Sequence, residues 1–288
     1  MQTLAFNASG DMLVTGDTER YLRAWFRSQL VFEADVRALS DKVRPLDRIR
    51  AIEFSSDAKK LYVATGDTLR AFDLVSRTEA WRYIPPRSFG FLIVSPVAAA
   101  VSPGGKLLVA TDFGNVKVLD EKGQSLGHWY HNDAPRYFSF LLNGTEIVGA
   151  DGFSVSVFEA YSGRRLRWVR TRERIYGMAY APFQGIVAVR NLHYIELLDV
   201  ETLMTLERIP APTGLPLVAF SPNGGLLAAG GKEEVMLIDM NTKKSELLPV
   251  VGARVLTLTF HPGGSTLAAG CSDGVVRFWD VFSGASVI

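Results

Sequence analysis

Seven aromatic or aliphatic residues set the frame of this chain. Phe6, Phe54, Val101, Phe140, Tyr180, Phe220 and Phe260 each close a short apolar run. They recur about every 40 residues, and the first two intervals are longer by roughly seven or eight residues. Beyond each stands a second apolar run, holding Leu13, Leu61, Leu108, Ile147, Val187, Leu227 and Leu267 at one fixed offset. A turn separates the two runs, as in Ser-Pro-Gly-Gly at 102–105 and Ser-Pro-Asn-Gly at 221–224, where Pro, Asn and Gly supply the angles of a tight reversal. A third run ends in a large residue followed by an acid: Phe72-Asp73, Leu119-Asp120, Phe158-Glu159, Leu198-Asp199, Ile238-Asp239 and Trp279-Asp280. Trp25 breaks the rule, since Phe26 follows it. A further turn and a fourth run complete the unit.

Short runs rich in Val, Leu, Ile and aromatics, with turn residues between them and no sustained helical period, predict strands. One four-stranded sheet cannot bury both of its faces; sheets stacked around an axis can. The predicted fold is therefore all-β, a seven-bladed β-propeller with each blade a four-stranded antiparallel sheet. It occupies 1–288 as a single domain, with units near 1–47, 48–94, 95–133, 134–173, 174–213, 214–253 and 254–288. The fourth strand of the last unit has only 284–288 to draw on. Either that stub finishes the blade, or the chain is part of a longer protein.

The copy from Phe260 to Asp280 is the best preserved. With Phe260, Pro262, Gly264, Asp273, Trp279 and Asp280 it resembles the WD-repeat β-propeller family. The other units match it loosely, and the family's Gly-His pair and second-strand Ser or Thr are missing, the latter being Ala269. Asp273 and Trp279 are what remains of the family's hydrogen-bond set, so both are expected to be structural. The outer strands of units two to four also resemble quinoprotein-type propeller repeats, which end in a docking tryptophan. That resemblance implies that Trp81, Trp129 and Trp168 lock neighbouring blades.

Composition excludes several functions. Apolar content of 48%, charged content of 21% and a net charge of +1 describe an ordinary globular chain without a uniformly basic face, so nucleic acid ranks last among partners. One cysteine, Cys271, suits a reducing compartment, and no leader or membrane span is visible, so the expected location is cytoplasmic with no membrane partner. The histidines His128, His131, His193 and His261 are scattered, and Asp73, Asp120, Asp199 and Asp239 sit at equivalent turns, so they read as turn caps. No catalytic residue, metal or cofactor is expected, and the chain reads as a non-enzyme. The alternative is a small-molecule-binding or quinoprotein-like oxidoreductase propeller with a site at the central channel. The first strands argue against it, being small and apolar with Glu53 as the one acid.

The expected function is a protein- or peptide-interaction scaffold working through its top face. The extra length falls in two loops of that face, 34–48 and 85–96; the second carries Phe89 and Phe91. Arg48, Arg50, Arg136, Arg174 and Arg254 precede first strands and would ring the channel mouth, suited to an acidic peptide, a phosphate or a terminal carboxylate. The opposing reading pairs them with the loop acids Asp35, Asp41, Asp47, Asp133 and Glu173.

Overall fold

The computed structural model describes the chain apart from residues 1–2, 18, 20, 36–48, 66–67, 85–95, 112–114, 132–134, 212–216 and 287–288, with backbone alone at 96–98 and 107–111. Its described residues form strands and turns, with no helix. Six four-stranded sheets lie within 3–35, 51–83, 96–130, 137–170, 177–210 and 218–249, and a three-stranded sheet lies within 255–280. Each is an antiparallel meander in chain order. The first strands (Thr3–Phe6, Ala51–Phe54, Pro96–Val101, Tyr137–Phe140, Gly177–Ala181, Val218–Phe220 and Val255–Phe260) neighbour one another in sequence, and the last packs against the first. The molecule is thus a β-propeller, with first strands around the channel and fourth strands outside.

Four strands were expected in every sheet, and the last sheet departs from this. Asp280 folds the chain back there, its carboxylate accepting from the Phe282 and Ser283 amides. Ser286 then meets Trp279 in a single antiparallel bridge. It stands opposite Trp279 as Thr205 stands opposite Leu198 and Ser245 opposite Ile238. Only this opening position of a fourth strand falls among the described residues.

Burial follows radius. The second strands Lys60–Ala64, Glu146–Ala150, Ile186–Arg190 and Leu226–Gly230 share one pattern, a half-buried residue followed by four buried ones. A strand covered on both faces needs an apolar run, and these strands supply one, although Ile186–Arg190 ends on the buried Arg190. The fourth strand Thr78–Tyr83 instead alternates exposed and half-buried positions, as an outer strand must. The core lies between sheets. Val14, Leu22, Ile52, Leu61 and Phe72 fill the space between the first and second sheets. Val235, Leu248, Leu267 and Trp279 fill that between the sixth and seventh.

Both turn types repeat a left-handed residue. After the first strands it is Gly10, Ala58, Gly105, Gly144, Gly185, Gly224 and Gly264; after the third strands it is Arg77, Gly123, Gly163, Leu203, Lys243 and Gly284. Gly10 closes the ring. At φ +80° it lies so near His261 of the last sheet that a Cβ would fall 2.1 Å from the imidazole Nε2. That nitrogen is 3.0 Å from the Gly10 carbonyl oxygen, and the ring meets Phe6 edge-on at 5.1 Å.

Candidate interaction surface

The third-strand acids cap their turns. Asp73 accepts from the Val75 and Ser76 amides, Asp199 from Glu201 and Thr202, and Asp239 from Asn241 and Thr242. These bonds hold all three carboxyls below the usual range, with the Thr202 side chain contributing most at Asp199. These carboxylates are committed to their turns, the capping role that their repeated position predicts.

Docking between blades follows a rule that the sequence showed only in part. Trp81 donates its indole N–H to the Glu121 carbonyl at 2.8 Å, and Trp129 donates to the Ala160 carbonyl at 2.9 Å. Both acceptors lie just past the third strand of the next sheet. Trp129 is 6% exposed and stacks on Phe158 at 5.3 Å. Gly163 faces it so closely that a Cβ would sit 2.3 Å from the indole.

Trp168 does not follow, and its expected role is corrected. It is 54% exposed, with the Arg165 guanidinium 4.9 Å from its ring centre. The cause is register. In the third sheet Leu119 pairs with Ser125; in the fourth Phe158 pairs with Arg165, a turn one residue longer. Trp129 and Trp168 keep the same spacing from their turn acids, so the extra residue moves Trp168 to the opposite face of its strand. Arg167 takes the inward place and donates from Nε to the Val200 carbonyl at 3.0 Å, the position equivalent to Glu121 and Ala160. Nothing in the composition of Arg-Leu-Arg-Trp-Val-Arg marks Arg167 for this; only a count of the turn would have.

In the last sheet Trp279 is 2% exposed and belongs to the core. Asp273 stays in its own turn, accepting from the Val275 amide and pairing with Arg277 at 2.7 Å, and that pairing lowers its pKa. Cys271 is buried, and burial, more than any neighbouring charge, pushes its thiol up, so it is a poor nucleophile. Among the described residues no three His, Cys, Asp or Glu side chains come together to hold a metal.

Of the arginines expected at the channel mouth, Arg48 lies outside the described residues, as do Phe89, Phe91 and most of both long loops. Arg50, Arg136, Arg174 and Arg254 are all exposed. The backbone of Arg50, Arg136 and Arg254 is fixed to the neighbouring second strand or the turn after it. The Arg50 amide donates to the Ala64 carbonyl and the Arg136 amide to that of Ala150, both at 2.8 Å; the Ser272 amide donates to the Arg254 carbonyl at 2.9 Å. Each precedes a first strand, so the four share one end of the channel. None forms an ion pair with a described residue. Glu173, beside Arg174, is 2.9 Å from His193 Nδ1 instead. The Arg174 guanidinium lies 5.6 Å from the Tyr176 ring centre. Of the acids proposed to neutralise the arginines, Asp41, Asp47 and Asp133 lie outside the described residues.

Comparison with known proteins agrees with this architecture. Residues 249–280 match the family model described as WD domain, G-beta repeat. A periodic tryptophan protein 2 homolog of Schizosaccharomyces pombe is 28% identical over 82 residues, 27% of this chain and 10% of that protein. The serine-threonine kinase receptor-associated protein of Gallus gallus is 25% identical over 142 residues, 48% of this chain and 40% of that protein. A periodic tryptophan protein 2 homolog of Neurospora crassa is 33% identical over 110 residues, 36% of this chain and 12% of that protein. The chain therefore spans well under two thirds of these relatives. Among solved structures, a chain in the crystal structure of the mitotic checkpoint complex superposes with a TM-score of 0.78 at 15% identity, covering 98% of this chain and 87% of the other.

Proposed function

We propose that this chain, a WD-repeat β-propeller, is a non-catalytic scaffold that holds an acidic segment of a partner protein at the arginine-bearing end of its channel. The observation that carries the reading is the set Arg50, Arg136, Arg174 and Arg254. These are exposed guanidinium groups from separate sheets, gathered at one mouth and without an ion pair among the described residues. Guanidinium groups bind carboxylates through paired, charge-assisted hydrogen bonds, and a rigid rim presents them at little entropic cost. That the relatives include a receptor-associated protein and a structural neighbour from a multi-protein complex supports a protein partner. Phe89 and Phe91 are proposed to add apolar contact beside this rim.

The three-stranded sheet is proposed to be a seventh blade whose fourth strand opens at Ser286, and the whole ring to act as one domain. The cycle of first strands and the His261–Gly10 contact support both. A cytoplasmic setting belongs to the same proposal, supported by the single, buried Cys271.

The test is the combined variant Arg136→Glu, Arg174→Glu, Arg254→Glu, measured against a fluorescent hexaglutamate peptide. The native protein should bind it with an affinity that falls steeply with salt, and the variant should lose at least about tenfold while its circular dichroism is unchanged. Equal binding by the two proteins would remove the arginine rim from the function.

A further inference from the structure

The opposite end of the channel holds a second feature of different chemistry. A cavity of about 480 Å³ opens among the turns that follow the first strands. Phe6, Phe54, Phe140 and Tyr180 line it, with hydroxyl groups from Ser102 and Ser139. Among the described residues one carboxylate lines it, that of Glu53.

Register explains why Glu53 is alone. It is the next-to-last residue of its first strand, paired with Tyr62. At the same place the other first strands carry Ala5, Ala100, Ser139, Ala179, Ala219 and Thr259. Six small side chains leave room at this level of the channel, and the seventh position fills it with an acid.

The Glu53 carboxyl makes no hydrogen bond or ion pair with a described residue. Its one cause of perturbation is removal from water, which pushes its pKa up to about 7. The channel reaches it, but bulk solvent does not surround it. Tyr180 is the other titratable group on the cavity wall, held above its ordinary value by burial and then by Glu201; Tyr62, across the strand pair, is pushed up to about 12, chiefly by burial. Neither carries charge at neutral pH, so no described neighbour offsets the Glu53 carboxylate. An unpartnered acid in a partly apolar cavity costs free energy, and a cation seated against it removes that cost. Aromatic walls favour a cation carried on an apolar stem. The arginines stand at the far mouth, and no lysine or arginine is among the described residues that line this cavity.

We propose that this cavity binds an organic cation, an ammonium group on an aliphatic stem, with the ammonium paired to Glu53 and hydrogen-bonded by Ser139 and the stem lying along Phe6 and Tyr180. A free amine and a lysine side chain share this chemistry.

The probe is n-butylammonium, with n-butanol as the uncharged control of equal stem, titrated into the full chain by calorimetry and by NMR of carbon-13-labelled glutamate carboxyls. Saturable binding of the ammonium that weakens at least about tenfold in Glu53→Gln supports the site. So does release of about half a proton per site on binding at pH 7, seen as a dependence on buffer ionisation heat. In the unaltered protein, saturation should move the Glu53 carboxyl titration to lower pH, a readout that does not depend on the variant folding. A terminally blocked Gly-Lys-Gly peptide that binds as well as the amine assigns the site to a protein lysine; binding of the amine alone assigns it to free amines. Equal affinity for n-butanol, equal affinity in Glu53→Gln, or a Glu53 titration unmoved by the ammonium would each overturn the proposal. The site lies at the other mouth from the arginine rim, so its failure leaves the acidic-peptide reading standing.

Discussion

At the scale of single residues, the turns after the third strands show how backbone angle and side chain divide the work. Asp73, Asp120, Asp199, Asp239 and Asp280 each satisfy two amides at the head of their turn, and a residue at positive φ turns the chain back. Gly123, Gly163 and Gly284 fill the left-handed position without steric cost, whereas Arg77 holds φ 59° with a Cβ in place. Left-handed geometry costs an L-residue about 1–2 kcal/mol, and glycine adds about 0.5–1 kcal/mol of unfolded-state entropy. The difference favours glycine here, because the Arg77 side chain is exposed and makes no hydrogen bond or ion pair with a described residue. Arg77→Gly should therefore raise stability by up to about 1 kcal/mol, read as a higher urea midpoint at unchanged slope. A lower midpoint would mean that the arginine contributes through contacts the turn geometry does not reveal.

At the scale of elements, one hinge of the fold is the residue that each outer strand sends to the next blade. Trp129 is buried and bonded, while Trp168, at the same spacing from its turn acid, faces solvent. Trp129→Ala should cost about 3–5 kcal/mol and Trp168→Ala no more than about 0.5 kcal/mol, both measured by chemical denaturation. Comparable losses at the two sites would contradict the register that separates them. The pair also shows what sequence could disclose. The repeat period, the turn acids and the small first strands were all legible, because each follows from a local rule of angle or burial. The inward face of an outer strand was not, because it depends on whether five or six residues separate the paired ends of a hairpin. The arginine rim stood out by its place before the first strands. That Glu173 turns to His193 and leaves Arg174 without an acid among the described residues is a three-dimensional fact with no sequence mark. Glu53 was visible as the one acid of the first strands, but its isolation required the cavity around it.

At the scale of the whole molecule, these charges give stability opposing dependences on pH. The turn acids Asp73, Asp199, Asp239 and Asp280 have folded pKa values below their unfolded ones. Their contribution is present above the ordinary carboxylate range and is lost as pH falls through the lowered values. Glu53 works the other way. Its pKa rises from 4.5 unfolded to about 7 folded, so the folded chain binds the extra proton between those values. Below pH 4.5 both states are protonated and Glu53 has no effect. As pH climbs through the window the unfolded state ionises first, stability falls, and the penalty is complete above pH 7. A shift of this size corresponds to at most about 3 kcal/mol, spread over a ring whose blades are expected to melt together. The native protein should therefore melt in a single transition whose midpoint drops from pH 5 to pH 8. Glu53→Gln, neutral at every pH, should remove most of that drop and melt higher than the native protein at pH 8. Scanning calorimetry across the range checks both. If the two proteins decline in parallel, Glu53 is not what the ring loses as it is made alkaline. If the native scan splits into two transitions, the ring does not unfold as one body and the linkage must be assigned blade by blade.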